Sequence, residues 1–274
     1  MNTMKKYLGW LALIAVIVVS CSGPRNLRNL SMQERLKYAK KLFDEGKYYQ
    51  AKTQFQILVL NNPGSNIIDM VQFYLAESHF YLKEYITAAA EYEKLINLYP
   101  RSAYLDDAQY KLALSYFNLS PKADLDQKYT YKAIDEFQRF LEDFPQSEYV
   151  ADVAKKLQQC REKLAKKEFI SGNLYRKMGY HQSAIIVFDE ILSKYYDTSY
   201  AEQAYYWKAY CLHKIGKHQE ARDMIQALLS KYPKTSFREK AISLAEQVDR
   251  ALKNEVSGAD GSKKNNPAAN HKQM

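Results

Sequence analysis

Cys21 follows Val18, Val19 and Ser20 at the end of an apolar run that begins just after Lys5 and Lys6. The pattern matches a lipobox. In that motif the cysteine sulfur takes a diacylglycerol thioether, the preceding peptide is cut away, and the freed amine is acylated in turn, which is the expectation for Cys21. The alternative is an ordinary secretory signal that ends in cysteine. The run itself, YLGWLALIAVIVVSC, is apolar over about 14 residues, short of the roughly 20 needed to cross a bilayer as a helix. Residues 1–20 are therefore expected to be a removable lipoprotein signal peptide and residues 21–30 a polar, lipidated tether. More than one acyl chain on Cys21 gives the firm anchoring that a single chain does not.

Little else in the chain has the spacing of a reacting centre. His79, His181, His213, His218 and His271 form no HExxH pair and no Cys/His cluster with zinc spacing. No GxGxxG, GxxxxGK[ST] or GxSxG segment occurs. His79 is expected as a packed histidine, and the acidic pairs Asp106–Asp107 and Asp189–Glu190 as solvated helix faces. Cys160 and Cys211 sit in helical apolar patterns and are expected as buried thiols. The expectation is thus no enzyme, no metal, no cofactor beyond the acyl chains on Cys21, no nucleic acid and no small-molecule substrate. The chain has 274 residues with a formal charge of +9, which suits an anionic membrane surface or an acidic partner as well as a plainly basic surface.

The elements that fill the chain are helical. Only 9 Gly and 7 Pro stand against 24 Tyr, too few chain-breakers for a many-turned β fold. GKYYQAKTQFQILVLNNP at 46–63 returns as GKHQEARDMIQALLSKYP at 216–233. Pro63, Pro100, Pro145, Tyr196 and Pro233 close successive units, and twelve residues before each stands Ala51, Ala88, Ala133, Ala184 or Ala221. Four residues after each alanine comes a large side chain: Phe55, Tyr92, Phe137, Phe188 and Ile225. The preceding helices hold a small residue at Ala39, Ala76, Ala113, Gly172 and Ala209. A small residue with a bulky one a turn away lets neighbouring helices approach and lock. Ser31 with Glu34, Ser199 with Glu202 and Ser236 with Glu239 have the spacing of capping boxes.

These positions resemble the tetratricopeptide repeat (TPR). The expected fold is all-α, a TPR-type α-solenoid of about five helix pairs plus a C-terminal capping helix, because one pair cannot bury its own apolar face. SPKADLDQK between Tyr116 and Ala133 is expected as a loop inserted in the third repeat. The stretch between Pro145 and Gly179 predicts an unusually long first helix for the fourth. Residues 31–146 then form an amino-terminal half of repeats one to three. Residues 147–253 form a carboxy-terminal half, and 254–274, poor in apolar residues, a disordered tail.

A lipobox followed by five such repeats, with the segment KLAKKEFISGNLYRKMGYHQSAIIVFDEILSKYYDTSYAEQAY at 163–205, resembles the BamD family of outer-membrane β-barrel assembly (BAM) lipoproteins. The resemblance spans about residues 15–250. It implies a non-catalytic scaffold, lipid-anchored on the periplasmic side of the outer membrane. It also implies that the carboxy-terminal repeats bind the POTRA region of BamA and the amino-terminal repeats receive unfolded outer-membrane β-barrel proteins. Ser22 after the cysteine is not the aspartate of inner-membrane retention, which agrees with that address. One family position departs. Where an arginine commonly makes a salt bridge to BamA, this chain has Val187, so contact through neighbouring Asp189, Glu190 or Ser193 is a weaker expectation. The alternatives are a periplasmic TPR adaptor of the Tol-associated type and a TPR nutrient-binding lipoprotein. The first sits poorly with the lipobox and the absence of heptads, the second with the lack of room for a long insertion.

The first-helix positions facing away from the core include Leu36, Lys40, Phe43, Phe73, Glu77, Phe80, Tyr81, Tyr110, Leu114 and Phe117. From these, Lys40, Phe43, Phe73, Phe80, Tyr81, Tyr110 and Phe117 are expected to line a peptide-binding groove. Aromatics would take the ring of an aromatic-ended peptide, and lysine its carboxylate.

Overall fold

The computed structural model describes residues 29–264. Cys21, most of the tether and residues 265–274 lie outside them. The described residues form eleven helices and no strand. They are α1 Met32–Asp44, α2 Tyr48–Asn61, α3 Ile68–Tyr81, α4 Tyr85–Leu98, α5 Leu105–Leu119, α6 Lys128–Asp143, α7 Val150–Lys177, α8 His181–Lys194, α9 Ser199–Lys214, α10 His218–Lys231 and α11 Arg238–Lys264. The chain divides into two compact units, one ending at Ser102 and the other beginning at Ala103.

Within each unit the small-and-large rule operates as the sequence predicts. Ala51, Ala88, Ala133, Ala184 and Ala221 are fully buried, as are Phe55, Tyr92, Phe137 and Phe188. In the first unit Ala39, Leu42, Phe55, Leu58, Val71 and Leu75 make the core of α1, α2 and α3. In the second unit two cores meet along α7. Its amino-terminal turns bury Val153 and Cys160 against Phe137 and Phe140 of α6, while Leu164 and Ala165 join the core of α8 to α11. The boundary drawn from sequence between residues 146 and 147 falls inside this unit. The expected length of α7 is present, at 28 residues, and the inserted segment of the third repeat runs as a loop from Ser120 to Gln127, between α5 and α6.

The short turns inside the first, second, fourth and fifth pairs hold a left-handed residue. Gly46 and Gly216, the matched glycines of the repeated segment, have φ of 74° and 81°, a region where a Cβ is penalised. The second pair puts Lys83 there, at φ 61°. Four of the five second helices end just before a proline, whose missing N–H costs no helical hydrogen bond at that point, and α8 ends before Tyr196 instead.

The stations between pairs differ from the sequence expectation. Ser31 and Glu34 form a true capping box: the serine hydroxyl accepts the Glu34 amide and the glutamate accepts the Ser31 amide. Ser199 and Ser236 do not cap with the glutamates three residues ahead. Ser199 instead donates to Glu162, both through its amide and through its hydroxyl, at 2.8 Å. Glu202 takes the Thr235 hydroxyl and the Ser236 amide. The same clamp joins Ser102 to Asp69 at 2.8 Å and Ser147 to Asp106 at 3.3 Å. A hydroxyl after the closing turn thus reaches an acid on the preceding first helix, 33 to 41 residues back in the chain. The fourth station adds Arg161, whose guanidinium donates twice to Asp197, at 2.6 and 2.8 Å. That bond holds the Asp197 carboxyl below the usual range.

Cys160 and Cys211 are buried free thiols, and burial pushes them up to about 11 and about 12. The last helix runs to Lys264, past residue 254 where composition placed the start of a disordered tail. Low apolar content removes packing but does not stop a helix from propagating, because each added residue closes its own backbone hydrogen bond.

Candidate functional site: an aromatic face on the first unit

In the first unit, α1 and α3 bring Phe43 and Tyr81 together. The Phe43 ring stands edge-on to Tyr48, Tyr74 and Tyr81, with centroids 5.2, 5.2 and 5.7 Å away. Tyr48 and Tyr81 stack at 4.6 Å with 10° between their planes. Four rings so arranged satisfy the edge-to-face and offset preferences of aromatic quadrupoles. Tyr81 remains 46% exposed, so the stack presents a flat apolar surface to solvent. Lys40 lies over the Tyr74 ring with its Nζ 4.9 Å from the centroid, which places a cation against the same cluster.

Phe80 continues the face, edge-on to Tyr81 at 6.0 Å and to Tyr85 at 5.4 Å. Phe73, half-buried, stands edge-on to Tyr74 at 5.8 Å and reaches Tyr92 at 6.2 Å. Glu77 is buried and accepts the Tyr92 hydroxyl, so it serves α3–α4 packing. His79 is half-buried and bonds through Nδ1 to Glu84 at 2.6 Å; Glu84 also pairs with Lys52.

Tyr110 and Phe117 belong to the second unit, and both are engaged within it. Tyr110 stacks on Tyr149 at 4.3 Å and donates its hydroxyl to Asp152 at 2.6 Å. Burial and that carboxylate raise its phenol well above the usual value. Phe117 meets Phe137 at 6.1 Å and lies under Lys156. The residues that cover them come from the start of α7 or just before it, together with Phe137 of α6. Conversely, Tyr48 and Tyr74 complete the first-unit cluster although no sequence pattern singles them out. The only signal for them was tyrosine density, which does not specify a face.

The acidic face of α8 is occupied locally. Asp189 pairs with Lys208 at 2.5 Å, Glu190 with Lys194 at 2.6 Å, and the Ser193 hydroxyl donates to the Glu190 carbonyl. Val187, half-buried, offers no charge there. No described helix is long and apolar enough to cross a membrane.

Residues 28–225 match the family described as YfiO, outer membrane lipoprotein. The chain belongs to that family. YfiO membership covers every helix pair described above except the end of the last pair and α11. A curated relative, outer membrane protein assembly factor BamD of Rickettsia prowazekii, is 26% identical over 205 residues, covering 74% of this chain and 82% of that protein. Solved structures that match include TPR proteins. The thermophilic TPR protein TTC0263 of Thermus thermophilus is 18% identical, with a TM-score of 0.34, covering 81% of this chain and 99% of that one. The TPR2AB domain of yeast Sti1, solved with pHSP90, is 14% identical, with a TM-score of 0.42, covering 82% of this chain and 86% of that one.

Proposed function

We propose that this chain is a non-catalytic scaffold of outer-membrane β-barrel assembly. It receives the ends of unfolded barrel proteins at the aromatic face of its first helix pairs and binds the POTRA region of BamA through its carboxy-terminal pairs. The observation that carries the reading is the family match together with the relative named as an outer membrane protein assembly factor. The first-unit face supports the substrate half. Exposed Tyr81 stacked on Tyr48, with Phe80 beside it and Lys40 at the edge, suits a peptide that ends in an aromatic side chain and a carboxylate. For the BamA contact the acidic face of α8, with Asp189, Glu190 and Ser193, is the proposed surface.

Affinity purification of the full chain from its own membranes tests the reading. BamA is the expected companion, whereas Tol proteins would support the adaptor alternative and a TonB-dependent transporter the nutrient-binding one.

The anchor is proposed to be Cys21, on the periplasmic side of the outer membrane. Cys21→Ser should leave the protein unlipidated and release it from the outer-membrane fraction. Labelling of that variant by radioactive palmitate would refute the assignment.

A further inference from the structure

The first helices of the pairs can be compared through their small residue, Ala39 in α1, Ala76 in α3, Ala113 in α5, Gly172 in α7 and Ala209 in α9. Two residues later stand Lys41, Ser78, Ser115, Leu174 and Cys211. In α3, α5 and α9 this position is fully buried, and α3 packs on α2 and α9 on α8. In α1, the first described helix, it is exposed, and its stripe is charged: Lys37, Lys41 and Glu45. Helix α7 combines the exposure of α1 with an apolar character. Its stripe is Ile170, Leu174 and Met178, 45%, 56% and 58% exposed, at i, i+4 and i+8 and so on one face.

The reason lies in the length of α7. The preceding pair packs against its amino-terminal turns, where Phe137 and Phe140 meet Val153 and Cys160. The inserted loop reaches as far as Lys163, which donates to the Ser120 hydroxyl at 2.6 Å, and Lys167, which donates to the Leu125 carbonyl at 2.9 Å. Past those contacts the stripe whose central position α3 and α9 bury is bare.

We propose that the Ile170–Leu174–Met178 stripe of α7 is a docking surface for an amphipathic helix with acidic flanks supplied by another protein. A helix is the occupant because the equivalent position is fully buried in α3 and α9, each of which packs on other helices. Acidic flanks follow from charge: α7 has eight basic residues against three acidic ones, with Lys166 and Lys177 both exposed beside the stripe. A second copy of this chain would set the same lysines against one another. Residues 265–274, NNPAANHKQM, have Met274 as their single large apolar residue and are basic, so they do not fit. The proposal does not depend on the reading above, which places BamA at the acidic face of α8.

The test uses the full mature chain and a fluorescent synthetic helix of about five turns, with leucines at i, i+4 spacing and glutamate flanks. A twin with lysine flanks serves as control. The expected result is saturable binding of the glutamate-flanked peptide alone, weakened about 30-fold or more by Leu174→Glu. Leu174 is exposed, so circular dichroism should be unchanged; Met178→Glu is the second variant should the first unfold. Equal binding of both peptides would overturn the proposal, as would unchanged affinity in a folded variant. Binding to phosphatidylglycerol vesicles, or self-association in sedimentation equilibrium, that the same substitution abolishes would assign the stripe to a membrane or a second copy and likewise overturn it. Binding of an aromatic-ended barrel peptide should be unaffected by Leu174→Glu, which keeps this test separate from that of the first-unit face.

Discussion

Gly172→Val should destabilise the second unit by about 2–3 kcal/mol, near the top of the range for overpacked cores. Gly172 is buried in α7, and a Cβ there would stand 2.9 Å from Cε1 of Phe188 on α8. That ring is fully buried and belongs to the largest core of the unit, so it has no open side to move toward. A glycine inside a helix normally costs about 1 kcal/mol relative to alanine. At this position the close approach of the two helices outweighs that propensity. Valine adds two further methyl groups to the clash, and its branching restricts the rotamers that could relieve it. For a unit of this size each kcal/mol shifts the melting temperature by about 2–4 °C, so a fall on the order of 5–10 °C is expected. Pairing the change with Phe188→Leu should recover part of the loss, because the two sites are in contact and their effects are not additive. A melting temperature unchanged by Gly172→Val would mean that α7 and α8 do not approach as described.

The second large effect concerns recognition. Phe80→Ala combined with Tyr81→Ala should weaken binding of a peptide from the carboxy-terminal end of a barrel protein by roughly 100-fold or more, since a well-packed aromatic anchor at an interface contributes about 2 kcal/mol or more. Tyr81 supplies the exposed half of the stack on Tyr48, and Phe80 extends it toward Tyr85. Lys40→Ala should have a much smaller effect, because an ion pair at a solvated rim contributes only about 0 to 1 kcal/mol. Fluorescence anisotropy on variants with intact helical circular dichroism measures both. Equal losses from the lysine and the aromatic pair, or none from either, would remove the aromatic face from the account.

The helical architecture was legible because it rests on local rules. The alanine–aromatic spacing, the closing prolines and the matched Gly46 and Gly216 are all properties of single helices or single turns, and each took up the role its type dictates. The stations between pairs were not legible. For Ser199 and Ser236 the next acid along the chain is three residues ahead, but the acid that meets each of them, Glu162 or Glu202, comes from the preceding first helix. Only the folded repeat brings those groups together. The candidate site divides in the same way. Phe43, Phe80 and Tyr81 could be placed on one face by helical periodicity, and the structure brings them together. Tyr110 and Phe117 share that periodicity, yet Tyr149, Asp152 and Lys156 engage them. The length of α7 was apparent from the absence of breakers, but what its extra turns would cover was not.

Depletion of the chain in its own bacterium is the most direct measure of a role in barrel assembly. If the account holds, folded β-barrel proteins, followed by their heat-modifiable mobility, should fall in the outer membrane as the chain disappears, while other lipoproteins persist. Unchanged barrel levels, with a division or envelope-constriction defect in their place, would contradict it.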